Sequence, residues 1–131
     1  MDGKGICLEN FLNMKAEQLK EYCLSKEGAE EYYPFDNVTA CFKVSGKIFA
    51  ITLFDFPLSI NLKCDPELAA DLREKYEDVK PGFHMNKKHW NTVLTEGEIS
   101  DKELIKMIDH SYELIVKGLN KKQKEELSNK K

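Results

Sequence analysis

Residues 81–92, "PGFHMNKKHWNT", gather two histidines, two adjacent lysines and the chain's only tryptophan, with no acidic residue. Such groups could ligate a metal, move protons or neutralise phosphates. His84 and His89 lie five apart, which is neither the i,i+4 spacing of a helical zinc pair nor part of a closed zinc set. The stretch itself contains no carboxylate or cysteine, so no metal is expected. "DHS" at 109–111 spells a catalytic triad, but it falls in the middle of a helical pattern. Adjacent helical residues point about 100° apart, so Asp109, His110 and Ser111 cannot converge as a relay. Cys64 follows Lys63, which could lower a thiol pKa, although a cysteine at a strand end ordinarily packs as a small apolar group. Gly46 and Gly82 stand alone, so there is no glycine loop to cradle a phosphate.

Two readings of the 81–92 stretch remain open on its residues. In one, Lys87 and Lys88 neutralise phosphates while Trp90, Phe83 and the histidines stack on bases or pack on sugar. In the other, Trp90 and Phe83 are core anchors, and the lysines are merely solvated.

The elements that must position these groups are legible. The chain has 131 residues, 41% hydrophobic and 33% charged, as suits one folded domain. No apolar run approaches the ~20 residues of a membrane helix. The opening "MDGKGICLENF" lacks a basic segment followed by an apolar one, so a cytoplasmic protein without a membrane partner is expected. Cys7, Cys23, Cys41 and Cys64 form no CxxC pair and are expected as free thiols.

Leu12, Ala16, Leu19 and Cys23 make one helical stripe, with Gly28 as a stop. Val38 to Val44 alternates as a half-buried strand, and Ser45-Gly46 suits a two-residue hairpin turn. That register would pair Phe42 with Phe49 and Ala40 with Ile51 on the core face. Leu58, Ile60 and Leu62 alternate again. Asp65-Pro66 begins a helix with Leu68, Leu72 and Tyr76 as its buried stripe. Pro81-Gly82 predicts a turn, Asn86 caps a short helical turn through His89, and "NTVLT" reads as another strand. Ser100 and Glu103 form a capping box for a helix through Leu104, Ile108, Tyr112 and Ile115 to Gly118. Residues 1–120 are expected to form the domain, and 121–131 a lysine-rich tail, a frayed helix or disordered. The fold class is α+β: an antiparallel sheet of about four to six strands with helices on one face. The other face would carry Thr39, Lys43, Ser59, Asn61 and Lys63.

Charge is segregated. Residues 65–78 carry two basic and six acidic groups, whereas residues 79–95 carry three lysines and no acid. Strands, the 81–92 stretch and the tail are basic while the helices are acidic. A polyanion would respond to such a local field. The preference of helices for glutamate produces some of the same pattern.

"PFDNVTACFKVSGKIFAI", "PLSINLKCDPELAADLREKY", "PGFHMNKKHWNTV" and "MIDHSYELIVKGL" resemble, in order and spacing, the MmcQ/YjbR family of small bacterial proteins. The resemblance runs from about Phe11 to Leu119. Phe83 stands where the family often has tyrosine, and Ser45 where a second glycine is common. The resemblance implies a frataxin-like or secretion-chaperone-like antiparallel sheet, no cofactor and no catalytic residue. It also implies DNA binding through a double-wing arrangement. The positions matching its most specific motifs are Lys63, Lys87, Lys88, His89, Trp90 and Asn91. The expectation is thus a non-enzymatic DNA-binding domain. Lys43, Lys63, Lys87 and Lys88 would contact phosphates, His89 and Asn91 would hydrogen-bond, and Trp90 would stack or face the groove. The alternative is a protein- or ligand-binding adaptor using a groove beside residues 81–92. Lysines gathered on one surface would favour DNA; a concave apolar patch would favour the adaptor.

Overall fold

The computed structural model describes residues 16–34, 38–53, 58–82, 85–95, 97 and 99–129. A helix over residues 16–24 (α1) leads to β1 (Ala29–Tyr32), β2 (Thr39–Val44), β3 (Lys47–Leu53) and β4 (Ser59–Lys63). Then come α2 (Pro66–Lys75), β5 (Val79–Pro81), β6 (Trp90–Leu94), α3 (Asp101–Lys117) and α4 (Lys121–Asn129). The six strands form one antiparallel sheet in the order β1-β2-β3-β4-β6-β5. The α+β expectation holds, with six strands and the helices on one face. Among the described residues no helix is long and apolar enough to cross a membrane.

Ser45 and Gly46 take φ of 51° and 79°, the left-handed pair that a two-residue hairpin needs, and Val44 faces Lys47 as expected. Beyond that pair the expected register fails. A bulge between Phe42 and Lys43 makes Phe49 the extra residue of β3, so Phe42 faces Ala50 and Ala40 faces Thr52. Phe49 instead meets the Tyr112 ring edge-on at 5.2 Å. Two phenylalanines directly opposed would compete for one core position; the offset gives each its own.

The core lies between the sheet and α1 and α3. Leu19 and Cys23 of α1 and Leu104, Ile108 and Ile115 of α3 bury against Phe42, Val44, Phe49, Ile60, Leu62 and Val93. Leu12 of the expected stripe lies outside the described residues. The "DHS" residues point three ways, as the helical geometry requires. Asp109 Oδ1 accepts from Tyr22 Oη at 2.5 Å and pairs with Lys26, tying α1 to α3. His110 Nε2 accepts from the Asp65 N–H at 3.2 Å. Ser111 Oγ accepts from Lys63 N–H and donates to Phe49 O, joining two neighbouring strands.

Several expectations need correction. Helix α1 ends at 24, and Gly28 (φ 74°) turns the chain into β1, an edge strand without apolar alternation. Asp65 caps α2 as expected, accepting from Glu67 and Leu68 N–H, but only Ala69 of that helix is buried. Leu72 and Tyr76 are half-buried and Leu68 is exposed. Pro81 closes the edge strand β5, where its missing N–H costs no ladder bond, so the connection to β6 begins after Gly82. The tail contributes helix α4, whose Leu127 is buried over Gly28.

Candidate functional site

The bulge in β3 decides what the open face of the sheet looks like. A one-residue slip sends every later side chain to the opposite face. Without it Ile51 and Leu53 would point into the core and Ala50 and Thr52 outward. With it, Thr52 is fully buried in the core, its hydroxyl donating to Ala40 O at 3.4 Å, while Ile51 and Leu53 face away from the helices. An apolar pair is thus spent on the open face and a hydroxyl in the core, the reverse of what burial alone would choose.

Cross-strand pairing sets the open face in rows. Tyr32, Cys41, Ile51, Asn61, Thr92 and Lys80 form one row across all six strands. Thr39, Leu53, Ser59 and Leu94 form the row on one side of it. On the other side lie two separate pairs, Lys43 opposite Ile48 and Lys63 opposite Trp90. The surface is concave, an open groove of ≈ 620 Å³ whose apolar lining includes Tyr32, Ile48, Ile51, Leu53 and Met85. Its polar side is β4 and β6, where Thr92 Oγ1 donates to Asn61 Oδ1.

The lysines flank this groove. Lys43 Nζ lies 4.7 Å from the centroid of the Tyr32 ring, a cation–π contact that holds the charge beside β1. Lys63 is about 10 Å away across two strand spacings. Lys80 is exposed at the far end of the central row.

The 86–89 turn is built as its sequence suggested. Asn86 Oδ1 accepts from Lys88 and His89 N–H at 2.9 and 3.3 Å, and Asn86 O accepts from Trp90 N–H at 3.0 Å. Lys87 Nζ donates to Gly82 O at 3.1 Å, so part of this charge is used inside the turn; Lys88 is exposed, and His89 and Trp90 are half-buried. Gly82 pairs through its N–H with Trp90 O at 2.7 Å, and a Cβ there would sit 2.7 Å from Trp90 Cβ. Phe83 and His84 lie outside the described residues.

Of the expected site residues, Lys43, Lys63 and Trp90 share the open face, and Lys87, Lys88 and His89 form the adjoining turn. Asn91 does not join them. It is cross-strand from Leu62 on the helical face, 2% exposed, and its Oδ1 accepts from Arg73 Nε at 2.7 Å. It is thus withdrawn from any ligand on the open face. Arg73 was not foreseen as a positioning residue. Its Nη2 also donates to Lys87 O and to Trp90 O, the latter at 3.2 Å, so one guanidinium clamps the turn to β6. The available signal was its type: it is the only arginine in a lysine-rich chain, and only a planar fork reaches several acceptors at once.

Cys64 lies on the opposite face from Lys63, and burial pushes its thiol up to about 11; Cys23 is pushed up to about 12 for the same reason. Cys41, beneath the groove, is also raised by burial. These thiols are packed and protonated at neutral pH.

Comparison with known proteins agrees with this architecture. The YjbR family model matches residues 24–114. The chain is 36% identical to the Escherichia coli (strain K12) protein YjbR over 104 residues, covering 79% of this chain and 88% of that one. It is 40% identical over 108 residues to YbdF of Escherichia coli O157:H7, covering 81% and 88%. The crystal structure of Deinococcus radiodurans protein DR2400 superposes with a TM-score of 0.80 at 34% identity, over 86% of this chain and 87% of that one. A Pseudomonas syringae protein superposes with a TM-score of 0.67 at 32% identity, over 75% and 96%.

Proposed function

This chain belongs to the YjbR family, and from that premise we propose that it is a non-enzymatic adaptor that seats an extended segment of a partner protein on the open face of its sheet. The partner segment carries apolar side chains flanked by acids. One observation carries this reading: the β3 bulge turns Ile51 and Leu53 onto a concave surface while Thr52 takes a core position. Contiguous apolar surface rimmed by polar groups is where proteins bind other proteins. Lys43, Lys63 and Lys80 flank the floor and favour acidic residues beside the apolar ones. Both sheet edges are blunt: β1 is four residues and charged, and β5 is three residues ending in proline. That directs a partner to the face and away from edge pairing. A cytoplasmic setting goes with this reading, since reduced packed thiols persist there.

The test is selection from a random dodecapeptide library on the purified protein. Enriched peptides should alternate apolar residues with flanking Asp or Glu. They should lose binding to Leu53→Glu and keep it to Leu68→Glu, a change on an exposed position of α2. Failure to enrich any peptide, or binding that Leu53→Glu leaves intact, overturns the adaptor.

A second reading, duplex DNA binding, draws support from the same lysines. It requires a log K against log salt slope of about −3 to −4, roughly −0.9 for each of Lys43, Lys63, Lys87 and Lys88. The groove floor is mostly apolar, and Lys87 already serves Gly82 O, so the geometry favours the adaptor. Salt-independent or absent binding to a duplex at low salt removes the DNA reading and leaves the adaptor standing.

A further inference from the structure

On the helical side, α2 and α3 stand apart over the sheet and leave a second, smaller crevice of ≈ 160 Å³. Leu62 and Val93 form its floor, and Leu72 and Met107 its walls. A cavity of about 150 Å³ lined by apolar side chains accommodates a single benzene ring. Asn91 also lines it. The Asn91 amide has a fixed orientation. Arg73 Nε can only donate, so the atom it meets at 2.7 Å is Oδ1, and Nδ2 occupies the other branch of the amide. Among the described residues Nδ2 has no acceptor, although Asn91 is only 2% exposed. A buried amide donor is costly unless something accepts from it.

We propose that this crevice is a binding site for a small neutral molecule of single-ring size bearing a carbonyl oxygen, which accepts from Asn91 Nδ2. His110 also lines the crevice, with its Nε2 accepting from Asp65 N–H. Lys106 and Glu103, which also line the crevice, pair with each other at 3.6 Å. The site is on the opposite face from the adaptor groove and does not depend on it.

The experiment compares acetophenone with ethylbenzene, the same shape without the oxygen, in ¹H–¹⁵N titrations. Acetophenone should shift the Asn91 side-chain amide and the Leu72 and Met107 backbone amides saturably, binding at least about fivefold more tightly than ethylbenzene. Asn91→Asp keeps an acceptor for Arg73 and removes the donor, so the acetophenone advantage should vanish. Leu72→Trp fills the crevice and should abolish binding of both compounds. Equal affinities in the parent protein, shifts that map elsewhere, or no saturable binding overturn the site, as does an Asn91→Asp protein that keeps the preference. If Asn91→Asp does not fold, the parent comparison and Leu72→Trp decide the matter.

Discussion

Arg73→Ala tests whether one guanidinium holds the 86–90 turn to the sheet. The side chain donates to Asn91 Oδ1, Lys87 O and Trp90 O. Asn91 is buried, so losing its partner leaves an unmatched acceptor at a cost of about 1–3 kcal/mol. The two carbonyls lie nearer solvent, where water replaces the donor, and contribute about 0.5 kcal/mol each. The expected loss is about 2–4 kcal/mol in urea melts followed by Trp90 emission, with faster hydrogen exchange at His89 and Trp90. Arg73→Lys should recover less than half, because a compact ammonium lacks the planar fork that spans the separated acceptors. The pair Arg73→Met and Asn91→Leu should cost less together than the sum of the two, by about 1–2 kcal/mol, because the double variant leaves no buried side-chain acceptor without its donor. An Arg73→Ala protein within 0.5 kcal/mol of the parent, or strict additivity in the cycle, refutes the clamp.

Three further outcomes are expected. Ser111→Ala removes the hydroxyl that accepts from Lys63 N–H at 2.9 Å and donates to Phe49 O at 2.6 Å, and should cost about 2–4 kcal/mol by chemical melts; a loss under about 1 kcal/mol contradicts this. Gly28→Ala meets both a φ of 74° and the Leu127 side chain, 2.4 Å from the new Cβ. It should cost about 1–2 kcal/mol and speed exchange in α4, with the steric part relieved by Leu127→Ala. Burial raises the Cys23 and Cys64 thiols to about 12 and about 11, above the ordinary value of 9.0. Their contribution is complete below pH 9 and is lost as the unfolded chain ionises first, so stability should fall between pH 9 and about 12. Cys23→Ala should flatten that fall; an unchanged alkaline profile would assign it to other groups.

The candidate site was partly legible. Alternation in β2 and β4 assigned Thr39, Lys43, Asn61 and Lys63 to one face, because a two-residue period admits only two faces. The Asn86 turn was legible because an Asn side chain caps its own local backbone. Asn91 enters the expected site through the family motif, which carries no information about faces; strand geometry sends it to the face opposite its neighbour Trp90. Arg73 was missed because its acceptors lie 14 to 18 residues away on another element.

Local chemistry therefore determined the α+β class, the Ser45-Gly46 hairpin, the Asp65 and Ser100 helix caps and the separation of Asp109, His110 and Ser111. The class follows from the order of elements along the chain; each of the others depends on residues within about four positions, where backbone geometry is nearly independent of the rest of the chain. The tertiary structure decided the bulge at Phe49, and with it the apolar character of the open face. No local rule distinguishes the bulged from the regular pairing of β2 with β3. The bulge sets Phe49 edge-on against Tyr112, 63 positions away on α3, and that contact exists only once helix and sheet have met.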